Sequence, residues 1–333
     1  MSTLHPISVD DENKILWHPI LHVDQMGPEK SNVMKRLWRA FNYWINCPKG
    51  KQRIIAEIGD NLYNVGLLLD DIEDNAILRR GAPAAHLIYG LASTVYAIIY
   101  RMIILIEQLL DVSENKEIVT DYVIEAGTQL LRGQGVEIYF RDTCICPTYE
   151  DYKHIINDRW VSLLNFGLRM LQLFVENENK DFTSLLTTIS VFIQIYNDYI
   201  NLHNPKAGAN TCLINLLILL SFQYSNVKTY CDDITEGKFT FPMIHAIRTH
   251  PDDHHLIDII KKRPTDLETK KVFVNILESF GSFEYTRKTL GKLRGDILSE
   301  VDNLQLNENP YLKRVLEDIL NNLETEIYFD RCD

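Results

Sequence analysis

Five stretches of the chain, 51–74, 92–110, 117–141, 149–174 and 183–202, carry apolar residues at intervals of three and four, and no alternating run of useful length separates them. That spacing aligns apolar side chains on one face of a helix, so the chain predicts long helices rather than strands. Gly and Pro, the residues that break helices, number only 15 and 11 in 333. The stretches end at the Gly81-Ala82-Pro83 run, at Asp111 to Asn115, at Cys144 to Pro147 and at a polar loop over 176–180. Helices resume after Pro242 and from about Asp266, and Leu312, Leu316, Ile319, Leu320 and Leu323 form a C-terminal stripe read as core. An all-α bundle is the expected fold class. Residues 1–12 read as a disordered leader and 13–333 as one domain, without a Pro, Gly or Ser-rich linker or a fixed-period repeat.

One segment departs from this rhythm. Residues 207–222, AGANTCLINLLILLSF, carry no charge and form an apolar insert, either a buried helix added to the bundle or a poorly packed extension. Its apolar core, Cys212 to Phe222, falls short of the roughly 18 to 20 residues that span a bilayer, so no membrane anchor is expected. A net charge of -12 argues against nucleic acid and anionic lipid as partners. The six cysteines show no zinc spacing, and the N-terminus has no targeting pattern. A cytoplasmic location is the expectation.

The strongest chemical signal is the run Leu67-Leu68-Leu69-Asp70-Asp71-Ile72-Glu73-Asp74, followed by Arg79 and Arg80. Asp70 and Asp74 stand four apart on a helix, so both carboxylates leave one face and can offer oxygen to a hard divalent cation. Magnesium keeps waters and shares its shell with substrate phosphates, and the two arginines suit phosphate oxygens. Together these residues describe a diphosphate clamp.

With DDIEDNAILRRG (70–81), AFNYW (40–44), GQGVEIYFRD (133–142), CPTYEDYK (146–153), CDDITEGKFTFPMIHAI (231–247) and GSFEYTRKTL (281–290), the chain resembles the trans-isoprenyl diphosphate synthases, most closely those of animals that make geranylgeranyl diphosphate. The resemblance runs from about residue 13 to about residue 300. It implies an isoprenoid synthase-type helical bundle around a deep cavity. It also implies two or three Mg2+ ions, a small-molecule prenyl diphosphate substrate, and a homodimer or higher homo-oligomer.

The departures from the family pattern carry further information. Positions that hold the acceptor, isopentenyl diphosphate, in elongating members read here Ser31, Met34 and Tyr63, leaving Arg80 of that site. A hydrogen bond from a charged group is worth roughly 1.5–3 kcal/mol, so the three losses together imply acceptor binding weakened roughly a hundredfold or more. A small shift that recruits Lys30 or Lys35 is the alternative. The second aspartate-rich motif reads Asn197-Asp198-Tyr199-Ile200-Asn201; Asp198 is its expected metal ligand, with Asn197, Asn201 and Asp71 as weaker ones. The allylic-site Lys-Thr-Gly-Gly becomes Arg159-Trp160-Val161-Ser162, and Gln194, Lys228 and Lys238 match the remaining allylic-diphosphate contacts.

The donor half of the site is thus kept while the acceptor half is lost. Asp70, Asp71, Asp74 and Arg159 are the expected catalytic residues, and Arg79, Arg80, Gln194, Lys228, Lys238 and Trp160 the substrate-binding ones. An allylic cation formed there has no homoallylic partner to trap it. Trp160, with Phe166 or Tyr63 nearby, is the expected aromatic wall. The pattern resembles insect terpene synthases that arose from prenyl diphosphate synthases, among them the ocimene-forming kind of butterflies. The implied reaction is release of diphosphate and an olefin such as an acyclic monoterpene, used as a pheromone or scent. Val65 and Gly66 are the expected chain-length positions, and a ten-carbon substrate, geranyl diphosphate, is favoured. A still-elongating prenyl transferase and a non-catalytic partner subunit are the alternatives.

Overall fold

The computed structural model describes residues 16–23, 33–79, 82–175, 181–203, 230–306 and 308–320. The leader, the 207–222 insert, Lys30, Ser31, Arg80, Lys228 and Leu323 lie outside these residues. The described chain is an all-α bundle. A helix over 16–23 (α1) leads to α2 (Val33–Ile45), α3 (Lys49–Glu73), α4 (Ala85–Tyr89), α5 (Leu91–Val112), α6 (Lys116–Thr143), α7 (Tyr149–Ile156) and α8 (Ser162–Gln172). Then come α9 (Thr183–His203), α10 (Asp232–Glu236), α11 (Phe241–Thr249), α12 (His255–Lys262), α13 (Leu267–Ser279), α14 (Ser282–Asn303) and α15 (Pro310–Leu320). Two two-residue strands, Leu78–Arg79 and Ala82–Pro83, pair antiparallel with Arg79 opposite Ala82, which folds Arg79 back toward the end of α3.

The breaks have local causes. Asn115 caps α6 by accepting from the Ile118 N–H, and α6 ends where Cys144 turns left-handed at φ 52°. Thr148 and Asp151 form a reciprocal capping box that starts α7. The stretch 149–174 is not one continuous α-helix. Asn157–Val161 form a π-helical turn between α7 and α8. The extra residue of that turn leaves the three- and four-residue apolar spacing intact on either side, so the spacing conceals it. Gly133 of α6 makes room for the turn, because a β-carbon there would stand 2.8 Å from Asp158 Cβ and 2.9 Å from Arg159 Cγ.

α9 is buried on most of its surface, from Leu185, Leu186 and Ile189 through Phe192 to Tyr199 and Leu202, and it is the axis of the bundle. Leu312, Leu316, Ile319 and Leu320 of α15 are core residues, as their spacing predicts. No helix among the described residues is long and apolar enough to cross a membrane.

Trp38 of α2 locks three helices together. Its indole N–H donates to the Leu164 carbonyl at 3.0 Å, and its ring lies between Gly59 of α3 and Gly167 of α8. A methyl group built on Gly167 would approach Trp38 Cε2 to 2.0 Å, and one on Gly59 would approach Cζ3 to 2.2 Å. Gly167→Ala is therefore expected to destabilise the protein by about 1–3 kcal/mol through overpacking. Gly291→Ala, where an added methyl meets nothing within 4 Å, is expected to be neutral or to stabilise by up to about 1 kcal/mol. Urea denaturation of the two variants checks the contrast.

Candidate active site

The acidic end of α3 meets cations brought from four other elements. Arg79, from the small hairpin, bonds Asp70 (Nη2 to Oδ2, 3.0 Å) and Asp71 (Nε to Oδ1, 2.7 Å). Arg141, near the end of α6, donates from Nη1 to Asp74 Oδ1 at 3.1 Å and to the Glu73 carbonyl at 2.9 Å. Lys238 donates to the other Asp74 oxygen at 2.5 Å and lies 3.1 Å from Glu236. Gly237 turns the chain into that lysine at φ 78°, a left-handed conformation that glycine adopts without strain. Arg159, from the π-turn, is paired with Glu137 of α6 and lies 3.9 Å from Asp70.

Asp70, Glu73, Glu137 and their cations Arg79, Arg159 and Lys238 border a cavity of about 230 Å³. Asp70, Arg79, Arg159, Trp160, Gln194, Asn197, Asp198 and Lys238, all expected from the sequence, line it together. Leu62, Leu67, Leu69, Leu130, Leu131, Ile155, Ile156 and Leu163 supply its apolar wall. Asp71 and Asp74 stand behind the wall, nearly closed to solvent, with Asp71 against Arg79 and Asp74 between Arg141 and Lys238. Asn201, one turn beyond Asn197 on α9, is not among the lining residues. Tyr63 and Gly66 line the cavity as expected, but Val65 and Phe166 do not. Val65 is turned into the core, since it stands one helical position from Gly66 and so faces about 100° away. Phe166 borders a separate depression between α6 and α8. Lys35 is also outside the cavity, bonded to Asp60 at 2.5 Å.

Sequence reasoning passed over Glu73, Gln134, Glu137, Arg141 and Tyr152. Gln134, Glu137 and Arg141 stand three and four apart in a segment already notable for its family resemblance, and that spacing puts them on one helical face. Gln134 donates to Glu73 at 2.6 Å. Tyr152 donates to Asp198 Oδ2 at 2.6 Å; that oxygen also accepts from the Phe241 N–H, while Oδ1 accepts from Gln194 at 2.8 Å. Each carboxylate oxygen has two lone pairs, so Oδ2 is filled and Oδ1 keeps one.

The charge balance and the donor set fit magnesium. Asp70, Glu73, Glu137, Asp198 and Asp233 line the cavity against Arg79, Arg159 and Lys238, an excess of two carboxylates. Burial pushes Asp74 up to about 7 despite the pull of Lys238. Burial, with the neighbouring Asp233 charge, pushes Asp198 up to about 7 as well. Burial tends to lower the Lys238 pKa, but Asp74, Glu236 and Asp70 outweigh it and hold the ammonium protonated. Buried Asn197 Oδ1 accepts no hydrogen bond. A surplus of carboxylate with an orphaned amide oxygen calls for a hard cation. Among the described residues no group of three or more His, Cys, Asp or Glu is placed to hold a metal ion by itself.

Comparison with known proteins agrees with this chemistry. The sequence model of the family described as Polyprenyl synthetase matches residues 33–212 and 217–277. A protein of Matsumurasca onukii named "Terpene synthase" is 42% identical over 311 residues, covering 93% of this chain and 95% of that one. Geranylgeranyl pyrophosphate synthases of Mucor circinelloides f. lusitanicus and Dictyostelium discoideum are each 34% identical, covering 86% of this chain and 88% and 87% of theirs.

Arg141→Met leaves buried Asp74 with one of its two cations. Breaking a buried ion pair costs about 3–5 kcal/mol, and with Lys238 still in contact the low end, about 3 kcal/mol, is expected. Denaturant unfolding of the variant without substrate measures it.

Proposed function

The chain belongs to the polyprenyl synthetase family, and from that premise we propose that it is a terpene synthase that ionises one prenyl diphosphate, geranyl diphosphate by preference, and releases diphosphate and an olefin. One observation carries this reading. Every Lys and Arg that lines the cavity among the described residues, Arg79, Arg159 and Lys238, converges on Asp70, at 3.0, 3.9 and 4.0 Å. That is a single cationic pole, suited to one diphosphate. Tyr63, at a position where elongating members of the family hold the second diphosphate, brings a phenol to the apolar wall instead. The relative named "Terpene synthase" supports the same reading.

In the proposed mechanism Asp70, with Asp198 and more weakly Asn197, would hold magnesium, while buried Asp71 and Asp74 keep Arg79, Arg141 and Lys238 in place. Bound at Asp70, the ion would neutralise the diphosphate and make it a better leaving group. Arg79, Arg159 and Lys238 bind the diphosphate oxygens, with Lys228 joining them as the motif resemblance implies. The allylic carbon–oxygen bond breaks with both electrons leaving on the diphosphate, whose charge these residues stabilise. The apolar wall excludes water and holds the hydrocarbon chain, and Trp160 with Tyr63 offers ring faces to the cation. A carbon beside the allylic system then loses a proton to the departing diphosphate, which forms the new double bond. Glu73 and Glu137 are held by Gln134 and Arg159, so diphosphate is the better base in this scheme.

A homo-oligomer is part of the proposal. Leu91, Val95, Ile99 and Ile103 stand four apart along the exposed side of α5, and exposed Ile124 and Leu131 lie on α6. A monomer rarely leaves such a stripe in water. Ile99→Lys with Ile103→Lys is expected to shift the protein to monomer in sedimentation velocity.

The deciding assay supplies magnesium and geranyl diphosphate, with and without isopentenyl diphosphate. The expected product is a volatile olefin that does not require the second substrate, and Asp70→Ala is expected to lose at least about a hundredfold in rate, the scale of an essential electrostatic group. Longer diphosphates made at ordinary acceptor concentration would instead establish a prenyl transferase, the activity named for the 34% identical relatives. Silence with every prenyl diphosphate would leave the partner-subunit reading.

A further inference from the structure

The indole of Trp160 is held by a directed chain of hydrogen bonds. Its Nε1–H donates to Gln194 Oε1 at 3.1 Å. The Gln194 amide in turn donates from Nε2 to Asp198 Oδ1 at 2.8 Å. Asp198 is itself fixed on its other oxygen by the Tyr152 hydroxyl at 2.6 Å and the Phe241 N–H at 2.8 Å. An indole nitrogen can only donate, so it takes the glutamine oxygen and leaves the amide nitrogen facing Asp198. The glutamine amide therefore has one orientation that satisfies the indole, and a flipped amide would set donor against donor there.

The other side of the arrangement is equally constrained. Trp160 sits in the π-turn Asn157–Val161, where the extra residue re-aims the side chains, and Gly133 admits that turn against α6. The Arg159 guanidinium carbon lies 5.6 Å from the centroid of the Trp160 ring, so the ring already faces a cation. Trp160, Gln194 and Asp198 all line the cavity.

We propose that Gln194 is a positioning residue: polarised by Asp198, it fixes the Trp160 indole in one orientation against the cavity, and so determines which carbon of the substrate cation loses its proton and how far water is kept from it. This rests on the olefin-forming reading above and adds to it a specificity role for Gln194 and Asp198 that does not require either to touch the substrate. The second acidic motif then acts on the product through an aromatic ring as well as through any metal it holds.

The test uses the full-length protein with 15N-labelled indoles and, separately, a product analysis. Four tryptophans give four indole resonances, and the one missing in Trp160→Phe is assigned to Trp160. In Gln194→Leu that resonance is expected to move upfield as its acceptor is lost, while those of Trp17, Trp38 and Trp44 stay in place and report an intact fold. Gln194→Glu at acidic pH, whose carboxylic acid offers the same carbonyl and one O–H donor, is expected to return the resonance toward its original position. An unmoved Trp160 resonance in Gln194→Leu overturns the proposal. In the product analysis with magnesium and geranyl diphosphate, Gln194→Leu and Trp160→Phe are each expected to lower the ratio of the main olefin to other olefins and water-derived alcohol. The expected drop is at least about fivefold, the worth of one hydrogen bond. Combining the two changes is expected to add nothing further, because they remove the same contact. An unchanged ratio, or fully additive changes, overturns the proposal. If the wild-type protein forms no olefin, the functional reading fails while the indole resonances still decide the positioning role.

Discussion

Burying acidic side chains at the end of one helix is the constraint around which the rest of this molecule is arranged. Asp71 and Asp74 are almost wholly withdrawn from water, and isolated charges in that state would cost several kcal/mol each. They are tolerated because Arg79, Arg141 and Lys238 arrive from a hairpin, from the far end of α6 and from a glycine turn between α10 and α11. Each of those elements is thereby tied to α3, and the cavity is the space they enclose. Asp71 and Asp74 serve as anchors for the cations, and Asp70 remains at the cavity wall.

That division makes the site asymmetric in a useful way. The two withdrawn carboxylates hold Arg79 and Lys238 at fixed points, so a diphosphate of the kind proposed would meet cations whose ordering has already been offset by folding. Asp70 is within 4.0 Å of three cations and still belongs to a wall with two more carboxylates than cations. Such a wall repels a bare anion and attracts a divalent cation, which would then give an anion its partner.

Much of this was readable from residue spacing. The helices followed from apolar residues three and four apart, and the motif resemblance brought Asp70, Arg79, Arg159, Trp160, Gln194, Asn197, Asp198 and Lys238 into one cavity wall. Other features were hidden for identifiable reasons. The π-turn at Asn157–Val161 preserves the apolar pattern on both sides, so nothing in the spacing announces it. Of Val65 and Gly66 only Gly66 reaches the cavity, because a motif offset gives a position along a helix but not the 100° rotation that separates neighbouring side chains, and of Phe166 and Tyr63 only Tyr63 does. Arg141 and Glu137 were overlooked because charges on a helix are ordinarily solvated, and only their common face with Gln134 distinguishes them.

Asn197 shows how a loss of charge fits the same logic. With an aspartate there, the wall would carry three surplus carboxylates beside Asp198 and Asp233, and Asp198 already has its proton affinity raised by burial and by Asp233. A neutral amide relieves that repulsion while keeping an oxygen, which stands buried without a hydrogen-bond partner. With less negative charge on the α9 side, the electrostatic weight of the site moves to α3, where all three lining cations gather. A site that must position two diphosphates needs charge on both sides of the reacting carbons. One that must only release a single diphosphate and shelter a cation benefits from a charged pole on α3 and from the weakly polar wall that Gln194 of α9 and Trp160 of the π-turn provide.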